Sequence, residues 1–132
     1  MGNGTLLEPQ RVRLRAKPTC AKVVIAAPKG GVGKTTVVMA LLVCARIAGF
    51  RVAGVNTDEQ PSLTNWGNFR DAQRRNPAAS GLVDLPILTR RLDDYRQVNR
   101  EVSNSYDIAF FDTPPGHSHH RSSVQSLCEL PT

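Results

Sequence analysis

The chain has 132 residues, enough for one domain and too few for two, and its 40% hydrophobic and 21% charged residues exclude a disordered polypeptide. Only 5% is aromatic, so a core has to be built mainly from Val, Ile, Leu and Ala. The net charge of +6 favours a polyanionic partner without naming one, and no apolar run approaches the ~20 residues needed to span a bilayer.

Residues 1–19 read as a flexible basic extension. Arg11, Arg13, Arg15 and Lys17 are interrupted by Gly2, Gly4, Pro9 and Pro18, and no periodicity persists. A single domain is expected over residues 20–132. Val23-Val24-Ile25-Ala26-Ala27 is a short β-branched run bounded by Pro28, as in a buried parallel strand. Lys34 to Ala48 has the composition of a buried helix, with the apolar run Val37 to Ala45 inside it and Gly49 where a C-terminal cap belongs. Arg51 to Val55 reads as a second strand, so the three pieces form a βαβ unit. Ser62 to Arg75 is predicted helical, closed by Asn76-Pro77. Leu82 to Leu88 holds a short strand that Pro86 assigns to an edge or a loop. Leu92, Tyr95, Val98 and Val102 then fall at helical spacing. Asp107 to Phe111 is the third clear strand, ending at Asp112, and Gly116 to Thr132 has no assignment. Cys20, Cys44 and Cys128 are odd in number and lack metal-ligand spacing, which points to reduced thiols in the cytoplasm.

The chemistry centres on the glycine-rich turn between the first strand and helix, Lys29-Gly30-Gly31-Val32-Gly33-Lys34-Thr35-Thr36. A loop that wraps a phosphate turns several backbone N–H groups inward, and side chains would block that approach. Gly30, Gly31 and Gly33 remove the obstruction. Lys34 supplies a point charge for β- and γ-phosphates, Thr35 a hydroxyl for Mg²⁺, and the helix start its positive end. The common phosphate-loop spacing has glycine six residues before the lysine. Here Pro28 stands there, and an extra lysine occupies position 29.

That pattern, Pro28 to Thr36, resembles the deviant Walker A motif of the ParA/MinD family of ATPases. The resemblance implies an α/β P-loop NTPase fold, a three-layer sandwich with a mainly parallel sheet, and ATP with Mg²⁺ as cofactors. It also implies a homodimer with two nucleotides at its interface, in which Lys29 reaches the partner's nucleotide. Asn56-Thr57-Asp58-Glu59-Gln60-Pro61 is similar to the family's Asp-x-Asp-Pro-Gln segment, and Ser62-Leu63-Thr64-Asn65-Trp66 brings it nearest the small ParF-type plasmid-partition ATPases. On that match Asp58 orients or activates the attacking water, while Asn56 stands where the family has an aspartate and Glu59 where it has proline. The strand ending at Asp112 resembles the Walker B strand, implying a second Mg²⁺ contact. Thr113-Pro114-Pro115-Gly116 matches the switch that senses the γ-phosphate.

The implied function is plasmid or chromosome partition by Mg-dependent ATP hydrolysis. Its partners would be non-specific DNA, at the nucleoid, and a DNA-bound ParB/ParG-like protein, with no membrane. The catalytic residues are then Lys29, Lys34 and Asp58, and the metal ligands Thr35 and Asp112. The alternative is a non-catalytic nucleotide-binding or interaction module. Arg70, Arg74, Arg75, Arg90 and Arg91 are candidates for DNA phosphates and equally for solvated helix faces. His117, His119 and His120 read as a solvated segment before a metal site, Trp66 and Phe69 as core or interface, and Cys44 as packing. The resemblance covers residues 22–116, so the sheet is expected to be incomplete at the C-terminus, with an exposed apolar edge.

Overall fold

The computed structural model describes residues 20–27, 33–79, 81–115, 125, 126 and 128. Strands β1 (Ala21–Ile25), β2 (Val52–Asn56), β3 (Ile87–Thr89) and β4 (Ile108–Asp112) form one parallel sheet in the order β1-β4-β2-β3. Helices α1 (Lys34–Ile47), α2 (Ser62–Arg74) and α3 (Tyr95–Ser103) connect them, with short 3₁₀ turns at Pro77–Ala79 and Leu92–Asp94. The chain runs outward from β1 through β2 to β3, then returns to insert β4 between β1 and β2. Parallel crossovers are right-handed, so reversing direction along the sheet moves the connecting helix to the other face. Accordingly α1 and α2 cover one face and α3 the other, giving three layers with a core on each side of the sheet.

Strand alternation sorts the two cores. Val23, Ile25, Val52, Ile108 and Phe110 pack with Val38, Leu42 and Leu63 of α1 and α2. Val24, Val55, Ala109 and Phe111 pack with Leu92, Val98 and Val102 on the opposite side. The helical spacing of Leu92, Tyr95, Val98 and Val102 therefore marks a face that is buried. Where α2 crosses β3 there is no room for a side chain. A Cβ at Gly67 would stand 2.6 Å from Ile87 Cγ1, so glycine lets helix and strand touch.

Helix α1 begins after Gly33, at φ +84°, and ends at Gly49, at φ +101°, two left-handed positions that suit glycine. Gly49 N–H donates to Arg46 O and Phe50 N–H to Ala45 O, the paired bonds of a Schellman stop. The apolar run Val37 to Ala45 is not buried on all sides, however. Val38 and Leu42 are fully buried, but Val37 is 47% exposed and Cys44 is exposed, because α1 lies on an outer layer and turns only one stripe inward. Cys44 is therefore not core packing; Cys20 is the buried thiol, and burial pushes it above its ordinary value. Trp66 packs half-buried against the core under Arg70, 5.1 Å from the ring centroid, whereas Phe69 is exposed.

Strand bounds move by a residue or two from their predicted places. Pro86 stands just before β3, which is an edge strand, and its carbonyl still accepts from Gly54 N–H. At the other side, β1 pairs only with β4 among the described residues. Residues 1–19 and the histidines 117, 119 and 120 lie outside the described residues.

A clamp fixes the lower end of the sheet. Asp107 accepts from Arg51 N–H (2.8 Å) and from the Arg51 guanidinium (3.0 Å), which holds the Asp107 carboxyl below its ordinary value of 3.8. A depressed carboxyl stabilises the fold above the unfolded pKa and loses that contribution as pH falls through the folded pKa. Asp107→Asn is therefore expected to flatten the pH dependence of the urea midpoint below about pH 4, while lowering stability slightly at pH 7 because the pair is half-exposed. A curve that still parallels the wild type in acid would remove the clamp from the account.

Candidate nucleotide-binding site

The register of the sheet places three strand ends level, because Ile25 pairs with Asp112 and Asp112 with Asn56. Ligands of open α/β sheets gather at such carboxyl ends, where successive connections leave on opposite faces. Here the gap lies between the carboxyl ends of β4 and of β1, which α1 follows. Two threonines lock it: Thr113, which the sequence placed in the switch segment, and Thr57, to which it gave no role. Thr113 Oγ1 donates to Ile25 O at 2.7 Å, and Thr57 donates to Asp112 O through both N–H and Oγ1, each at 2.9 Å. Each directly follows the last residue of a buried strand, and that position was the available signal.

Lys34 opens α1 and is 8% exposed. The helix has no acidic residue in its first turn and no side-chain cap, so its first N–H groups and the Lys34 ammonium concentrate positive charge at one point. Two carboxylates from other elements answer it. Lys34 Nζ stands 2.6 Å from Asp112 Oδ1 and 3.4 Å from Asp58 Oδ2. Thr35 Oγ1 donates to the other Asp112 oxygen at 2.7 Å. The structure thus brings together four sequence-selected residues, Lys34, Thr35, Asp58 and Asp112. Lys34, Thr35 and Asp58 border a cavity of about 260 Å³ lined also by Gly33, Thr36, Gln60, Ser62 and Pro115, and Asp112 stands behind Lys34 and Thr35. The remaining selected positions, Lys29, Gly30, Gly31 and Val32, lie outside the described residues.

Asn56 is placed differently from the acid it replaces. It is 1% exposed, and its amide serves the loop after β2: Nδ2 donates to Thr64 Oγ1 (2.9 Å) and Gln60 O (3.4 Å), and Oδ1 accepts from Asp58 N–H (3.1 Å). A carboxylate could not donate to Thr64 and Gln60. Asn56 therefore organises the turn that aims Asp58, and Gln60 N–H steadies the Asp58 carboxylate from the far side at 3.1 Å.

Most of the arginines singled out for nucleic acid have protein partners. Arg74 reaches Asp71 and Asp84, Arg90 Glu101, Arg91 Asp93, and Arg70 the carbonyl of Val83, while Arg75 is exposed. A second cavity, about 300 Å³, opens at the opposite ends of the strands beside Arg46, Phe50 and Tyr106. It is larger, but no helix starts there and its Arg51 is held by Asp107. Among the described residues there is no cluster of His, Cys, Asp and Glu able to hold a metal by itself, and no helix long and apolar enough to cross a membrane.

No protein of curated function matches the sequence closely enough to count as a relative. Among solved structures the chain is similar to a plasmid partition protein from Borrelia burgdorferi, at 18% identity and a TM-score of 0.54, over 74% of this chain and 56% of that one. It is also similar to a putative plasmid partition protein from Borrelia burgdorferi B31 bound to AMPPNP, at 16% identity and a TM-score of 0.60, over 82% of this chain and 59% of that one. At these identities the likeness establishes the fold, and the chain spans 56% and 59% of the length of the two structures. The phosphate-loop sequence, the helix start that carries Lys34 and the carboxylates that meet it agree with the family match over residues 23–129: the chain belongs to the CobQ/CobB/MinD/ParA nucleotide-binding domain family.

Proposed function

We propose that the chain is a ParA-type partition ATPase that binds ATP with Mg²⁺ and hydrolyses it. The observation that supports this best is the meeting of Lys34 and Thr35 from the start of α1 with Asp112 from β4 and Asp58 from the loop after β2. The first N–H groups of α1 and the Lys34 ammonium bind the β- and γ-phosphates. The Thr35 hydroxyl and the Asp112 carboxylate, 2.7 Å apart, are hard oxygen donors that suit Mg²⁺ and would hold it. When bound, the ion neutralises charge on the phosphate oxygens. Asp58, held from both sides by Asn56 and Gln60, orients the attacking water and accepts its proton.

In the fuller cycle, ATP drives formation of a homodimer with Lys29 reaching the partner's nucleotide. The dimer coats DNA non-specifically at the nucleoid, and hydrolysis prompted by a DNA-bound ParB/ParG-like protein releases it. Plasmid or chromosome copies are moved apart as a result. The likeness to the two Borrelia plasmid partition proteins, one of them bound to AMPPNP, supports this assignment.

A non-catalytic nucleotide-binding module is the second reading, favoured by Asn56, which stands where the family has an aspartate and spends its amide on Thr64. Steady-state phosphate release separates the two. Asp58→Ala is expected to retain MgATP binding by calorimetry and to lose about 10²–10⁴-fold in turnover, the usual contribution of a positioned base. A wild-type rate no higher than that of Asp58→Ala would leave the binding module standing and remove the ATPase.

A further inference from the structure

Lys34 does more in this chain than wait for phosphate. Its ammonium lies between the two carboxylates of the site, at 2.6 Å from Asp112 and 3.4 Å from Asp58, with only 7% of its side chain exposed. Thr35 directs its hydroxyl at the remaining oxygen of Asp112. Asp58 Oδ1 is taken by Gln60 N–H. Every oxygen through which Asp58 and Asp112 could grip a cation is thus already engaged by a donor of the chain itself, and the largest share is held by a fixed positive charge. A divalent cation arriving alone would have to displace that ammonium while nothing offers it another anion. The helix start from which Lys34 projects is itself positive, so the displaced charge has no favourable place to go. A triphosphate changes this balance, because it presents several negative oxygens to the ammonium and to the first turn of α1 together.

We propose that Lys34 gates the metal position: its ammonium and a divalent cation compete for the Asp112 carboxylate, so the cation is admitted only together with a nucleotide whose phosphates take over the ammonium. This rests on the assignment of the site as a nucleotide site and adds the order of entry. Lys34 thereby selects the nucleotide-bound cation over the free one. The selection follows from the 78-residue separation of Lys34 and Asp112 being closed by the fold into an ion pair.

The probe is Mn²⁺ alone, titrated into the full chain and followed by the loss of its free electron-resonance signal. Wild type is expected to show no site at sub-millimolar Mn²⁺. Lys34→Gln, which keeps a polar side chain and removes the charge, is expected to gain one, at least about tenfold tighter than wild type. Adding Asp112→Asn to that variant is expected to abolish the gain. Mn²⁺ binding to wild type as tight as to Lys34→Gln, or a gain that survives Asp112→Asn, would overturn the gate.

A second measurement needs no variant and covers the case in which Lys34→Gln fails to fold. The chain has four lysines, Lys17, Lys22, Lys29 and Lys34. With ¹³C at the lysine ε-carbons, the Lys34 resonance is expected to stay fixed when Mg²⁺ is added alone and to move when MgADP is added. Movement with Mg²⁺ alone refutes the competition. A chain that binds no nucleotide fails the functional assignment, whereas the Mn²⁺ comparison and the response to Mg²⁺ alone still decide whether Lys34 excludes the free cation.

Discussion

Lys34→Ala is expected to weaken MgATP binding on the order of 10²–10³-fold, measured by calorimetry on the folded chain, because removing one partner of a buried charge pair typically costs several kcal/mol. The ammonium is the only side-chain cation that the described residues bring to the cavity beside Asp58 and Asp112. Its loss also acts on the protein before any ligand arrives. Asp112 is 1% exposed and would keep only the Thr35 hydroxyl against its carboxylate. Breaking a buried pair on one side costs about 3–5 kcal/mol. The double variant Lys34→Ala/Asp112→Ala is therefore expected to be less destabilised than the sum of the two single changes, since Asp112 no longer leaves a buried charge without its cation. Unaltered MgATP affinity in a folded Lys34→Ala protein would take the phosphate role away from this lysine.

Phe111→Ala should be the most damaging core substitution. Phe111 is fully buried on β4, the strand between β1 and β2, and packs with Val55, Leu92, Val98 and Val102 under α3. Truncating a buried phenylalanine costs about 3–5 kcal/mol, as lost transfer free energy plus the cavity left behind. Domains of ordinary stability have about 5–15 kcal/mol in all, so the variant is expected to approach the edge of folding. Phe111→Leu keeps most of the volume and should lose about 1.5 kcal/mol or less. Urea midpoints at constant slope read both. Because Asp112 follows immediately on the same strand, the alanine variant is also expected to bind MgATP more weakly than the leucine one. Equal midpoints for the two would mean that β4 is not the keystone of that layer.

Much of this architecture is legible in the residues. The β-branched run before Pro28 and the Ile108 to Phe111 stretch announce buried strands. Gly33 and Gly49 bracket α1 because only glycine sits easily at their positive φ. The period of Leu92, Val98 and Val102 gives the face that α3 buries. Such patterns are local, since they depend on the backbone and neighbours within a few positions. For the same reason composition alone misjudged Cys44: an apolar run shows that a helix has a buried side, but not how far round it the layers extend.

Tertiary structure decided the rest. Insertion of β4 between β1 and β2 is not written in any segment, and it is what sets Asp112 beside Lys34 and Thr35. The sequence pointed to Asn56 as a weakened acid. The fold shows its amide spent on Thr64, Gln60 and Asp58, which makes it the organiser of the Asp58 turn. The bonds of Thr57 and Thr113 across the strand ends were not legible because their partners lie 55 and 88 residues away. By itself the sequence determined the strands, the helices and the chemical inventory of the site. Which groups face one another across the strand ends was settled only by the register of the sheet and the packing of helices on both its faces, because those energies are summed over contacts distant in the chain.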